Sequence, residues 1–227
     1  MKSFPALVFL GAFTLAAAPE VMEIGPHNVG QLPGGKEADG IIGDFVLRNN
    51  KVEAVISGNL PLRRANMSTF YGANGVTPGC LYDLTLRGAN NDQLTIFSPI
   101  GQSGMVSHVR ILKDGKAGEA SIETVTTGTT STNRIYKRHE YRLIDDWQGV
   151  LVITTLRNDG AAALTGLLDD RATTFTQSGN AAGIQWHDAV DPADKAGYAY
   201  AWVEFEGIQK PPAELNLKPG QSIQFAR

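Results

Sequence analysis

The segment YAYAWVEFE, at 198–206, carries residue types that can bind sugars. Side chains alternate along a strand, so one face presents Tyr198, Tyr200, Trp202 and Glu204. Flat rings with polar tips suit the apolar faces and hydroxyl groups of carbohydrates. We expect the other face to lie against the core, and it consists of Ala199, Ala201, Val203 and Phe205. The aromatic face is a candidate ligand-binding site, and packing of its rings in the interior is the alternative.

A second candidate binding segment is YKRHEYR, at 136–142. Alternation places Arg138 on one side of this strand and His139 on the other. Cross-strand ion pairing is the ordinary role of so many charges on a strand. The alternative is a face that binds an acidic glycan, and for that reason Arg138 and His139 are also candidate ligand-binding residues.

Residue spacing gives little support to metal or acid/base chemistry. Neither an H-E-x-x-H nor a C-x-x-C motif occurs. The loop HDAVDPAD, at 187–194, has enough oxygens for a hard cation, but Asp is also a preferred turn residue. We predict turn chemistry there, with no metal site and no cofactor. Asp169 and Asp170 point to opposite sides of an extended chain and make a poor acid/base pair.

The first residues, MKSFPALVFLGAFTLAAAPE, predict export. Lys2 precedes an apolar run that ends in small residues, which is typical of a signal peptide, and we place it at 1–18. We therefore expect a secreted or periplasmic protein with no membrane segment after cleavage. The 227-residue chain has a net charge of −3, so nucleic acid is not an expected partner. Cys80 is the single cysteine, which excludes an intrachain disulfide.

The rest of the chain predicts an all-β antiparallel sandwich. Residues 19–40 carry Gly and Pro without periodicity and are expected to form an extended lead-in. Residues 41–227 contain short alternating runs broken by Gly, Asn or Asp, as in a β-sandwich domain. The run GAAALTGLLDD is conceivable as a helix, but its two glycines bracket too few residues, and a strand is preferred.

The clearest hairpin is GDFVLRNNKVEAVISG, at 43–58. Asn49-Asn50 suits a two-residue turn, which would set Leu47 opposite Val52. One face would then be apolar and lie in the core, and the other would be mixed and half-solvated.

Four segments of the chain resemble the β-supersandwich domains related to galactose mutarotase. They are GDFVLRNNKVEAVI, GCLYDLTL, VLVITTLRNDG with the LLDD after it, and LNLKPGQSI. The likeness covers roughly residues 40 to 227 and is strongest to the amino-terminal domains of large secreted bacterial proteins. It implies a supersandwich and a place in front of other domains, with the last strand near a sheet edge. Mutarotases use a His and a carboxylate as acid and base, and no motif places that pair here.

These observations favour an exported non-catalytic module that binds carbohydrate or supports a neighbouring domain. The alternative is a carbohydrate-active enzyme of the epimerase or lyase type on the same fold. The two differ in one observable feature, because an enzyme of that type needs a cleft with a His and a carboxylate within reach of a common point.

Overall fold

The computed structural model describes residues 18–65, 75–128, 134–173, 177–188 and 196–227. The predicted signal peptide lies almost wholly outside these residues, as does most of the acidic loop at 187–194. No helix in the described part of the chain has the length and apolar character needed to cross a bilayer. Its regular structure is β-strand apart from two short 3-10 helices, η1 (Val29–Gln31) and η2 (Pro99–Gly101). The all-β prediction is confirmed.

Sixteen strands are present in the described residues. In chain order they are β1 (Glu20–Glu23), β2 (Phe45–Arg48), β3 (Val52–Ile56), β4 (Leu81–Leu86), β5 (Ile96–Ser98), β6 (His108–Asp114), β7 (Glu119–Thr127), β8 (Ile135–Ile144), β9 (Leu151–Asn158), β10 (Leu164–Gly166), β11 (Arg171–Thr173), β12 (Ser178–Ala181), β13 (Ile184–Asp188), β14 (Gly197–Tyr200), β15 (Leu215–Leu217) and β16 (Ser222–Ala226). The strand preferred over a helix after Gly160 is confirmed as β10.

Two large antiparallel sheets form the sandwich. One has the order β1-β2-β3-β4-β5-β11, and the other has the order β16-β9-β8-β7-β6. Two smaller sheets, β12-β13-β14 and β10-β15, complete the fold. The main core brings side chains of both large sheets together, including Phe45, Leu47, Ile56, Ile122, Tyr141 and Val152. Burial of these alternating side chains is what holds the two sheets face to face.

The hairpin of β2 and β3 has the predicted core face but not the predicted register. Leu47 lies opposite Ala54 instead of Val52, a shift of two positions. Because side chains alternate with a period of two, a two-residue shift leaves the same side chains facing the core. The core face was therefore predictable and the pairing was not.

Asn49 causes the shift, through its side chain. Its Oδ1 accepts the backbone N–H groups of Lys51 at 2.8 Å and of Val52 at 3.0 Å, so the turn forms one residue further along. Its Nδ2 donates to the carbonyls of Ile144 and Trp147, at 2.9 and 2.8 Å. The tip of the hairpin is thus attached to the β8–β9 turn.

The second face of the hairpin is buried, contrary to the expectation that it is half-solvated. Val46 and Val55 are fully buried and pack against Ile24. Ile24 follows β1, which pairs with β2. Residues 19–40 therefore cover this face and contribute a strand to the sheet.

The last strand, β16, lies at the edge of the five-stranded sheet, where it pairs with β9. The expected edge position is confirmed. The strand predicted near residue 200 is shorter than expected, since β14 ends at Tyr200 and the chain then continues through isolated bridges at Val203 and Phe205.

We predict that Phe45→Ala lowers the free energy of unfolding by about 3–5 kcal/mol, because Phe45 is 6% exposed within the main core. Denaturant titration measures the change. The control is Leu112→Ala on β6, where the side chain is 40% exposed and a loss below about 1 kcal/mol is expected. Equal losses for the two variants would contradict the described core.

Candidate functional site

The aromatic segment, residues 198–205, packs against the sandwich beside the edge strand β16. Tyr198 and Tyr200 pack against the main core, and Trp202 packs against a second cluster around Phe225. Ala199, on the other side, is exposed. The expectation that the Ala199 side faces the core is wrong at this position. Large rings bury more apolar area than alanine methyl groups, so the aromatic face takes the inner position.

The rest of the face that begins with Ala199 does pack against the protein, but on a different surface. Val203 and Phe205 contact Leu151 and Ile153. These two residues alternate with Val152 of the main core, so they project from the opposite side of the five-stranded sheet. The aromatic segment therefore crosses the sheet edge and covers part of both faces.

Tyr200 is half-buried and borders three spaces. Its ring meets Phe97 edge to face, with 5.3 Å between ring centroids. Beneath it lies an apolar cavity of about 70 Å³. On either side lie a cleft of about 330 Å³, here called the polar cleft, and one of about 520 Å³, here called the apolar cleft. The rings are partly buried without being closed off from solvent.

The polar cleft combines aromatic rings with hydrogen-bonding side chains. The functional groups around it belong to Asp169, Asp170, Asn180, Gln185, Tyr200 and Trp202. Strand pairing explains this assembly, because Gln185 of β13 lies opposite both Asn180 of β12 and Tyr200 of β14. Directly opposed residues share one face of a sheet. The cleft offers flat rings together with carboxylate and amide groups, which is the chemistry that hydroxyl-rich ligands need.

The apolar cleft is wider and has different walls. Trp147 and Phe205 form an edge-to-face pair there, with ring centroids 5.9 Å apart. Glu204, a predicted site residue, borders this cleft and is exposed. Tyr200 is shared by both clefts, but Glu204 and Trp202 are not on the same one.

A buried ion pair forms the floor between the clefts. Arg227 Nη2 donates to Asp170 Oδ1 at 2.8 Å, Nε lies 2.6 Å from Oδ2 without hydrogen-bond geometry, and both side chains are 1% exposed. The Ile100 N–H donates to Asp170, and Arg227 donates to Thr154 Oγ1 at 2.6 Å. The guanidinium also lies 5.1 Å from the Trp202 ring. The Arg227–Asp170 ion pair therefore forms the floor beneath the rings of Tyr200 and Trp202.

Burial raises the pKa of Asp170 and lowers that of Arg227, and their attraction opposes both shifts. A guanidinium does not lose its proton in proteins, so the pair is ionic. Burial also raises the pKa of Tyr200, and the negative charges of Asp170 and Asp169 add to that rise. The Tyr200 hydroxyl is therefore a neutral donor or acceptor.

His139 joins the same network from below and does not reach a cleft. Its Nδ1 lies 2.8 Å from Thr154 Oγ1, and its Nε2 has no hydrogen-bond partner among the described residues. Burial lowers the His139 pKa well below its usual value, and the charges of Arg227 and Lys137 lower it further. His139 is thus a neutral interior residue in this arrangement, on the opposite side of β8 from Arg138.

Arg138 lies on the outer face of the five-stranded sheet and is fully engaged in ion pairs. It binds Glu123, and it lies 3.2 Å from Glu140. Burial alone would raise the pKa of Glu123, but hydrogen bonds from Arg138, His108 and Arg110 lower it to about 2. This agrees with cross-strand ion pairing, the ordinary role expected for the segment. Arg138 and His139 cannot form one binding face together, because they project to opposite sides of the sheet.

The described residues do not bring a histidine and a proton-donating carboxylate together as an acid/base enzyme needs. His108 Nε2 lies 3.2 Å from Glu123 Oε1, but the two arginines hold that carboxylate ionised, which makes it a poor proton donor. The Cys80 thiol is buried, and burial raises its pKa to about 12, so it is not a nucleophile. In the described ranges no group of three or more His, Cys, Asp or Glu side chains is arranged to hold a metal ion.

Tyr198 contacts Asp92, one of two coupled buried carboxylates. The Gln93 N–H donates to the Tyr198 hydroxyl at 2.7 Å, and this hydroxyl lies 3.4 Å from Asp92 Oδ1. Asp83 accepts the N–H groups of Asp39 and residue 40, at 2.8 and 2.9 Å. Burial raises the pKa of Asp92 to about 7, while burial and the charge of Asp92 raise that of Asp83 well above its usual value. At neutral pH the pair therefore holds a shared proton.

Comparison of the chain with protein-family models, with curated proteins and with solved structures finds no match in any of the three. The site must accordingly be interpreted from its own geometry. Tyr200 and Trp202, two rings of the aromatic face, border the polar cleft, while Tyr198, Glu204, Arg138 and His139 lie elsewhere. Sequence reasoning missed Asn180 and Gln185, whose role depends on the β12–β13–β14 pairing.

We predict that Asp92→Asn changes how stability depends on pH. The folded-state pKa of Asp92 is raised from 3.8 to about 7, so its contribution to stability is complete below about pH 4 and is lost as the pH rises to about 7. Asparagine carries no titrating proton but keeps an oxygen for the Leu84 N–H. Between pH 4.5 and 7.5, the free energy of unfolding of the wild type should thus fall by on the order of 2 kcal/mol more than that of Asp92→Asn.

Urea titrations across that pH range make this measurement, with Asp114→Asn as the control. Asp114 is exposed, and its hydrogen bond from Lys116 lowers its pKa, so it titrates below the chosen range. Its removal should leave the pH slope unchanged. A wild-type slope identical to that of Asp92→Asn would rule out the shared proton.

Proposed function

We propose that the protein is an exported β-sandwich module that binds carbohydrate in the polar cleft. The supporting observation is the assembly of two aromatic rings, Tyr200 and Trp202, with the carboxylate of Asp169 and the amides of Asn180 and Gln185 around one space of about 330 Å³. A sugar ring has apolar C–H faces and an equatorial rim of hydroxyl groups. The rings suit the first, and the carboxylate and amides suit the second.

The supersandwich type and the export route belong to the same proposal. Both come from the sequence, through the resemblance to mutarotase-related domains and the signal-like first residues. The antiparallel sandwich is compatible with that type. A module of this kind brings a neighbouring domain to a glycan surface, which is the partner role proposed here. An enzyme of the epimerase or lyase type remains the alternative class, although the described His139 lies beneath the ion pair instead of lining the cleft.

We predict that Trp202→Ala weakens binding of a neutral oligosaccharide by about tenfold or more, because a ring that stacks on a sugar contributes roughly 1 to 2 kcal/mol. Isothermal titration calorimetry against a panel of neutral oligosaccharides measures this. Trp147→Ala is the matched control, since Trp147 borders the apolar cleft and is 41% exposed. The affinity of the Trp147→Ala variant for the oligosaccharide should stay within about twofold of the wild-type affinity.

Trp202 also contacts the ion pair, so Gln185→Ala provides a second test with less risk to folding. It should weaken the same binding by about fivefold through one lost hydrogen bond. Circular dichroism confirms that each variant is folded. Equal effects of Trp147→Ala and Trp202→Ala would refute the polar cleft as the site, and conversion of a bound glycan to product would favour the enzyme class.

A further inference from the structure

Acidic side chains outnumber basic ones at the two clefts. Asp169 borders the polar cleft with its side chain 74% exposed, and exposed Glu204 borders the apolar cleft. The cation that reaches the apolar cleft from its floor is Arg227. The net charge that a ligand meets therefore depends on whether Arg227 can form an ion pair with that ligand.

Arg227 is already neutralised. Two of its nitrogens contact the Asp170 carboxylate at 2.6 and 2.8 Å, a third donates to Thr154, and the side chain is 1% exposed. An incoming anion would have to displace Asp170 from a buried pair, which leaves an uncompensated charge. Arg227 is consequently a poor receptor for a ligand carboxylate or sulfate.

The exposed cation of Arg171 does not reverse the sign. Arg171 Nε lies 3.9 Å from Asp169 Oδ2, and both side chains are largely in water, where such a contact is weak. On the outer face, Arg138 offers no alternative receptor, since it is engaged by Glu123 and Glu140. The polar cleft thus presents carboxylate and amide groups in a field that is neutral to negative.

We propose that the polar cleft selects neutral or amino sugars and rejects uronic or sulfated ones. This inference rests on the proposed function and specifies its ligand class. Carboxylate oxygens accept hydrogen bonds from hydroxyl or ammonium groups at close range, whereas a ligand carboxylate would meet Asp169 with like charge.

The test uses six trimers, in two matched series of β-1,4-linked sugars. One series consists of glucose, glucosamine and glucuronic acid trimers, and the other consists of the galactose, galactosamine and galacturonic acid counterparts. One of the two series is expected to bind. Within that series, the neutral and amino trimers should bind roughly threefold to tenfold more tightly than the uronic trimer at low salt. Added salt should narrow that difference, since it screens exposed charges.

Asp169→Asn is the decisive variant, and Asp114→Asn at the end of β6 is its control. Asp169→Asn should raise the affinity of the uronic trimer and lower that of the amino trimer, each by about threefold, while Asp114→Asn changes neither. If the uronic trimer binds as tightly as its neutral partner, and Trp202→Ala weakens that binding, this inference is overturned and the proposed function stays in place. Failure of all six trimers to bind would overturn both.

Discussion

The ion pair between Asp170 and Arg227 is the interaction on which the candidate site depends. Removing two charges from water costs several kcal/mol for each ion, and the cost is offset only where the geometry is good and the remaining polar groups are bonded. Here the Ile100 N–H, Thr154 and the aromatic rings of Phe97, Trp202 and Phe225 surround the pair. Arg227 directly follows β16, and Asp170 directly precedes β11, so the pair connects the edges of the two large sheets.

This arrangement also sets the chemical character of the clefts. Because the two charges cancel, the floor beneath Tyr200 is polar without a net charge. The charged or hydrogen-bonding groups left for a ligand then include Asp169, Asn180 and Gln185 in one cleft and Gln148 and Glu204 in the other, with the Tyr200 hydroxyl shared by both. His139 lies in the interior next to this pair, where burial and, secondarily, the charges of Arg227 and Lys137 lower its pKa well below the usual value.

Local patterns predicted much of the fold and less of the site. Alternation in β2 and β3 identified the core face correctly, because a strand has a period of two, but the register depended on the bonds that the Asn49 side chain makes. The aromatic row at 198–202 was recognised, yet alternation alone does not say which face turns inward. Asn180, Gln185 and the Asp170–Arg227 pair come together through strand pairing between distant segments, which no local pattern encodes.

The most direct test of the account follows the indole N–H signals of the three tryptophans by NMR, in nitrogen-labelled protein, as a neutral oligosaccharide that binds is added. Single Trp→Phe variants assign the signals. The account predicts that the Trp202 signal shifts along a saturable curve while the Trp147 signal, in the apolar cleft, stays in place. A saturable shift of Trp147 with Trp202 unmoved would place the ligand in the wrong cleft and contradict the central claim.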